Sequence, residues 1–292
     1  MFKSLKYRIL VAILKLFAHL PYKTLPYIGW LLGWAGFLFS KKNASRIRRH
    51  LHDSKVCSSE DEYRKTLHAN IQATGISPLE SLHLWFKPYK QALDLVQECS
   101  GWEHVESSLS EGKGLIFLTP HLGCFEITSL YYGQYHPITV MFRQPRQPWL
   151  LPLITAGRQR GNVTLAPANS HGVKQVLQAL KRGEAVGILP DQAPLEGEGE
   201  WAPFFGRPAY TMTLASKLAQ KTGAQVLMAF GERLSGGRGY HIHIRPIATG
   251  GINTPTLLNA EIERTIQQCP AQYLWGYDRY KDRHQAPPSI TA

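Results

Sequence analysis

The spacing of apolar positions separates a helical first third of the chain from a body in which two periodicities alternate. Ile9 to Leu20 and Tyr27 to Phe39 are apolar stretches parted by Pro21 and Pro26. A membrane-crossing helix needs about 20 apolar residues, so neither stretch is expected to span a bilayer alone. Helical patterns follow over Glu60 to Leu84, Tyr89 to Glu98 and Trp102 to Ser110. After Gly112 short β-rich runs begin, at 114–119 (GLIFLT), 138–142 (ITVMF), 163–165 and 185–189 (AVGIL). Helix-length pieces separate them at about 124–133, 148–160 and 171–182. A helix over 211–222, runs at 225–230 and 240–247, and a helix over 255–268 complete the series. Strands divided by helices of this length predict the α/β class, with a largely parallel sheet covered by helices.

In such sheets the ligand crevice lies outside the carboxyl ends of the strands, so the residues that follow each run are the place to seek chemistry. GLIFLT leads into Pro120-His121-Leu122-Gly123-Cys124-Phe125-Glu126, ITVMF into Arg143, and AVGIL into Pro190-Asp191-Gln192. On a continuous helix His121 and Glu126 would point about 140° apart. A turn at Gly123 with Glu126 in the first helical turn would instead let the carboxylate reach the imidazole. It would then fix the ring tautomer and leave the second nitrogen free to take a proton from a hydroxyl. The plainer alternative is a histidine satisfied by local backbone and a glutamate favoured by a helix N-terminus.

Composition narrows the classes. With 43% apolar and 18% charged residues, the chain of 292 is a folded protein, not a disordered or repetitive one. The net charge of +12 is concentrated at the start: residues 1–52 hold ten Lys and Arg and no acid, whereas the remaining 240 hold 23 against 21. Residues 1–52 are therefore expected to form a basic amphipathic helical arm on an anionic membrane surface, with Tyr22, Tyr27, Trp30 and Trp34 at headgroup level, and 53–292 a separate α/β domain. No small-residue cleavage site follows the first apolar stretch, so removal as a signal peptide is not expected. The basic residues are interleaved with long aliphatics and match no nucleic-acid-reading motif, so nucleic acid is not an expected partner. Four cysteines (57, 99, 124, 269) form no CxxC pair or zinc spacing, which indicates a reducing compartment.

Cys124, three residues from His121, reads as a buried filler before it reads as a nucleophile. His241 and His243 share a strand face, but with no third ligand evident no metal site is expected. GEGEW at 197–201 reads as a solvated loop or a mobile lid. No GxSxG elbow, GxGxxG or P-loop pattern is present, which argues against serine lipid hydrolases and nucleotide enzymes.

HLGCFE at 121–126 resembles the HxxxxD/E motif of the lysophospholipid acyltransferase superfamily. MFRQPRQP at 141–148, GRQRG at 157–161, LKRGE at 180–184, ILPDQ at 188–192, PFFGRPA at 203–209 and PAQYLWGYDRYK at 270–281 resemble, in order, its lipid A late-acyltransferase branch. These blocks cover roughly residues 20–281. The resemblance implies transfer of a fatty acyl chain from acyl carrier protein or coenzyme A to a hydroxyl of a lipid acceptor, at the cytoplasmic face of the inner membrane and without a cofactor. It implies His121 as general base and Glu126 as its charge partner. Arg143, Arg158 and Arg160 would bind phosphate or an anionic intermediate, Asp191 would have a structural or orienting role, and Arg207 would line the acceptor side. Cys124-Phe125 departs from the Asn-Trp usual in this branch, which opens the identity of the acceptor rather than the type of reaction.

Overall fold

A computed structural model describes residues 5–281, with side chains from residue 11 onward. Lys3 of the basic arm and the side chains of Lys6 and Arg8 lie outside the described residues, as do residues 282–292. The helices are α1 (Leu5–His19), α2 (Leu25–Phe39), α3 (Lys41–Asp53), α4 (Glu60–Phe86), α5 (Tyr89–Leu93), α6 (Trp102–Ser110), α7 (Phe125–Tyr132), α8 (Leu151–Arg158), α9 (Ser170–Lys181), α10 (Leu214–Thr222) and α11 (Pro255–Ile266). The strands are β1 (Val96–Ser100), β2 (Leu115–Leu118), β3 (Ile138–Phe142), β4 (Val163–Pro167), β5 (Ala185–Ile188), β6 (Gly199–Phe204), β7 (Arg207–Met212), β8 (Gln225–Arg233) and β9 (Tyr240–Ile247).

Seven strands form one sheet in the order β1-β9-β8-β2-β5-β3-β4, and β6 pairs with β7 in a separate hairpin. All neighbours in the large sheet are parallel except β8 and β9. The α/β expectation holds. Leu115–Leu118 and Ala185–Ile188 are buried at every position, as strands covered on both faces must be. Two apolar clusters sandwich the sheet, one containing Ile116, Val186 and Met228 and the other Leu115, Phe117 and Leu227.

Two sequence expectations change. The helix expected over Tyr89 to Glu98 stops at Leu93, and Val96–Ser100 is an edge strand parallel to β9. Thr211 and Met212, expected to begin a helix, and most of GEGEW belong to the β6–β7 hairpin. Its turn, Phe205-Gly206, has positive φ at both residues, which is the conformation that two-residue hairpins require. The usual Asn-Gly signal is missing because Phe205 fills the first position.

The first three helices pack onto the body. A Cβ on Gly33 would lie 2.1 Å from the Ile71 carbonyl oxygen, and one on Gly75 would lie 2.0 Å from that of Gly29, so α2 and α4 meet backbone to backbone. Ala44, Ile47 and Leu51 of α3 join the core that contains Ile116. The outer faces of α1 and α2 expose Ile13, Leu16, Phe17, Tyr27, Trp30 and Phe39. Tyr27 and Trp30 are exposed, but Tyr22 packs edge-on against His83 and Tyr240, and Trp34 packs against Phe37 and His68. Among the described residues no helix is long and apolar enough to cross a membrane.

Candidate active site

β2 and β5 are parallel neighbours with Leu118 paired to Ile188. His121 and Asp191 each stand three residues past those paired positions, so the two strands deliver them to the same level at one sheet end. The Asp191 carboxylate accepts from His121 Nδ1 at 2.9 Å and from the His121 backbone N–H at 3.1 Å. An ionised carboxylate only accepts hydrogen bonds, so Nδ1 carries the proton and Nε2 presents its lone pair. Asp191 is 2% exposed. Burial opposes its ionisation, but the His121 imidazole and the hydrogen bonds from His121 outweigh that and hold the carboxyl below its ordinary value. The Tyr273 hydroxyl adds a hydrogen bond to Asp191, and burial raises the Tyr273 pKa well above its ordinary value.

This arrangement corrects the expected His121–Glu126 pair. Glu126 lies in the first turn of α7, but its carboxylate is gripped by Arg158 from the end of α8, with Nε donating at 3.1 and 2.8 Å and Nη2 completing the fork. At 4% exposure the carboxylate needs a counter-charge, and the guanidinium supplies a bidentate one. Burial works against the Arg158 cation, yet Glu126 more than offsets it and raises its pKa.

The turn that carries His121 is held from several sides. Gly123 has φ +61°, and a Cβ there would meet the Gly231 carbonyl oxygen at 2.1 Å. Its N–H donates to the Gln272 carbonyl, and the Leu274 N–H donates to the His121 carbonyl, both at 3.1 Å. From below, the buried Arg233 donates to the Gly123 carbonyl at 2.9 Å while its Nε and Nη2 bind the buried Glu80 of α4 at 2.7 and 2.6 Å. The helix that carries the arm on one face therefore anchors the histidine turn on another.

His121, Glu126, Arg143 and Arg158 line one cavity of about 820 Å³, within the roughly 300–1,000 Å³ of small-molecule sites. Phe117, Ile138, Val140, Leu165, Ile242 and Ile244 make its interior apolar. Arg143 is exposed at the end of β3. Cys124 lies 1% exposed beneath the turn, where burial raises its thiol well above the ordinary value and keeps it protonated.

Two predicted arginines stand elsewhere. Arg160 donates to the Lys87 carbonyl at 2.7 Å and to the Leu84 carbonyl, satisfying the last acceptors of α4, and stacks on Tyr89. Its guanidinium is consumed by backbone rather than turned to the cavity. Arg207 binds Asp53 at 3.0 Å and covers the Tyr280 ring, in a separate depression beside the end of α3. The pairing of β8 with β9 also brings a third donor group beside His241 and His243. Glu232 faces His241 across the ladder, and donor atoms of the three residues lie within 4.8 Å of one another. The two ring nitrogens are engaged, His243 with Glu232 at 2.8 Å and His241 with Ser100 at 2.7 Å. Sequence reasoning passed over Gln192, whose amide nitrogen is 3.2 Å from His121 Nε2, as well as Tyr273 and the Glu80–Arg233 pair. Gln192 was visible as the residue after Asp191; Glu80 and Arg233, 153 positions apart, gave no signal.

A histidine hydrogen-bonded to a buried carboxylate, at the end of a parallel sheet and lining a cavity with apolar walls, is an arrangement suited to general-base chemistry on an apolar substrate in an α/β enzyme. The sequence family agrees with that class. The chain matches the model for bacterial lipid A biosynthesis acyltransferases over residues 2–282 and belongs to that family; it is an acyltransferase. It is 27% identical over 285 residues to the lipid A biosynthesis lauroyltransferase of Escherichia coli strain K12, and 26% identical over 285 residues to the palmitoleoyltransferase of the same strain. Each match covers 96% of this chain and 92% of the relative. A lipid A biosynthesis acyltransferase of Haemophilus influenzae is 26% identical over 297 residues, with the same coverage.

Proposed function

We propose that the protein transfers a fatty acyl chain from a thioester of acyl carrier protein or coenzyme A to a hydroxyl of a lipid A precursor, at the cytoplasmic face of the inner membrane. The observation that carries the reading is His121, which lines the apolar cavity with Asp191 on its Nδ1 and the Gln192 side-chain amide on its Nε2. His121 takes the acceptor proton as the oxygen attacks the thioester carbonyl, and the imidazolium that forms is stabilised by Asp191. The fatty chain occupies the cavity interior, where burial of each methylene contributes about 0.8 kcal/mol. Arg143, exposed at the rim, is suited to a phosphate of the donor or acceptor; Arg158 acts by holding Glu126 against the cavity wall. The reaction needs no cofactor, because the thioester supplies the driving force.

Incubating the purified protein with acyl carrier protein thioester or acyl coenzyme A and a lipid A precursor is expected to add one acyl mass to the precursor. Mass spectrometry that instead finds only free fatty acid, or acylation confined to a phospholipid or ornithine lipid, rejects the proposed acceptor.

The arm is proposed to lie on the anionic leaflet. The exposed apolar residues of α1 and α2 adjoin Lys15, Lys23, Lys41 and Lys42, all exposed, and anionic lipid attracts nearby basic residues by about 1 kcal/mol each. Trp30→Ser and Phe39→Ser, at residues 53% and 90% exposed, are each expected to weaken sedimentation with anionic vesicles about tenfold without lowering Tm. Unchanged partitioning in the double variant removes this orientation.

A further inference from the structure

We infer that Gln192 is a further catalytic residue: its side-chain amide rests on His121 Nε2 and passes to the thioester carbonyl oxygen once the acceptor hydroxyl takes that nitrogen. The inference rests on the reading of His121 as the base for acyl transfer.

With Nδ1–H committed to Asp191, the Nε2 lone pair is the acceptor available to the Gln192 amide at 3.2 Å. A hydroxyl that is to lose its proton to His121 must donate to the same lone pair, so it displaces the amide. The backbone around Gln192 is fixed, since Asp191 is buried and bonded to His121 and the Ala193 N–H donates to the Tyr277 hydroxyl at 3.0 Å. Displacement is thus a rotation of the half-buried side chain, and it leaves an N–H donor inside the cavity that Gln192 lines. The reacting carbonyl must sit within bonding distance of the displacing hydroxyl, which brings its oxygen into the reach of that donor. The neighbouring guanidinium of Arg158 is held by Glu126, and Arg143 stands exposed at the strand end, whereas the Gln192 amide is the donor in contact with Nε2.

In the step itself the acceptor O–H proton goes to His121 Nε2 and the oxygen bonds to the thioester carbon. The carbonyl π pair moves onto its oxygen, which takes the Gln192 N–H. Collapse re-forms the carbonyl, breaks the C–S bond and releases the thiolate, which recovers the proton from Nε2. The products are ester and thiol, and His121 returns neutral.

Removing one oxyanion donor costs roughly 10²–10³ in kcat. Gln192→Ala is expected to lower kcat in that range with KM for donor and acceptor unchanged within about threefold. Gln192→Glu keeps the shape, replaces the donor by an anion beside the imidazole, and should lose as much activity while moving the acid limb of the kcat/KM profile to higher pH. This limb shift is a readout that a purely packing role would leave still, and the near-isosteric variant carries the test if the alanine variant misfolds. A kcat within threefold of wild type in Gln192→Ala, or a loss confined to KM, overturns the role of Gln192 and leaves the base assignment intact. Full activity in His121→Ala overturns the underlying reading instead.

Discussion

Replacing His121 by alanine is expected to lower kcat by about 10³- to 10⁴-fold in the acyl-transfer assay while Tm and vesicle binding stay at the wild-type level. The magnitude follows from the loss of a positioned general base, whose contribution is about 10²- to 10⁴-fold; the upper part of that range applies because the alternative base here is water entering an apolar cavity. The fold should survive the change. The ring is 15% exposed and packs against Phe125, but the turn beneath it is held by backbone bonds to Gln272, Leu274 and Gly231 that the substitution leaves in place. Transfer at the wild-type rate by a folded His121→Ala protein would end the proposal that Nε2 takes the acceptor proton.

Asp191→Asn is expected to cost about 10²- to 10⁴-fold in kcat with a similar fold. An amide in place of the carboxylate no longer stabilises the imidazolium, and it can present N–H to Nδ1, which drives the ring to the tautomer with Nε2 protonated and useless as a base. Since the carboxyl of Asp191 is held below its ordinary value, it stays ionised across the range in which histidine titrates. Protonation of Asp191 therefore is not expected to reduce kcat/KM until the pH falls below the ordinary carboxylate range. Glu126→Gln gives the contrast. It removes the counter-charge of Arg158 and should appear as lost stability of about 2 kcal/mol, less than the 3–5 of a fully buried pair because the Arg158 side chain is 21% exposed. A larger fall in kcat for Glu126→Gln than for Asp191→Asn would reverse the roles assigned to the two carboxylates.

Both carboxylates were readable as candidates, and the choice between them was not. The motif HLGCFE offered Glu126 because it is near in the chain, and a turn at Gly123 made the contact geometrically open. What decides the matter is the register of β2 with β5, which sets Asp191 level with His121 across 70 positions, together with α8, which brings Arg158 to Glu126 across 32. A signal for the first was present: Pro120-His121 and Pro190-Asp191 follow their strands at the same offset. For the arginines the resemblance likewise did not distinguish the two. Arg158 closes α8 and Arg160 follows two residues later, yet the first lines the cavity and the second turns back onto the Leu84 and Lys87 carbonyls at the end of α4.

The chain's own patterning determined the alternation of strands and helices, the parallel sheet, the strand ends at which chemistry gathers and the one-sided charge of the first 52 residues. Each of these is a local property, set by the side-chain period or by counting. Tertiary structure alone decided which charges neutralise one another, that Val96–Ser100 is a strand, and which aromatics of the arm face outward. These outcomes depend on partners distant in sequence: an edge strand exists through β9, and Tyr22 and Trp34 turn inward because α4 offers them a surface. A buried charge must find its counter-ion wherever packing places it, and packing is settled by the whole chain.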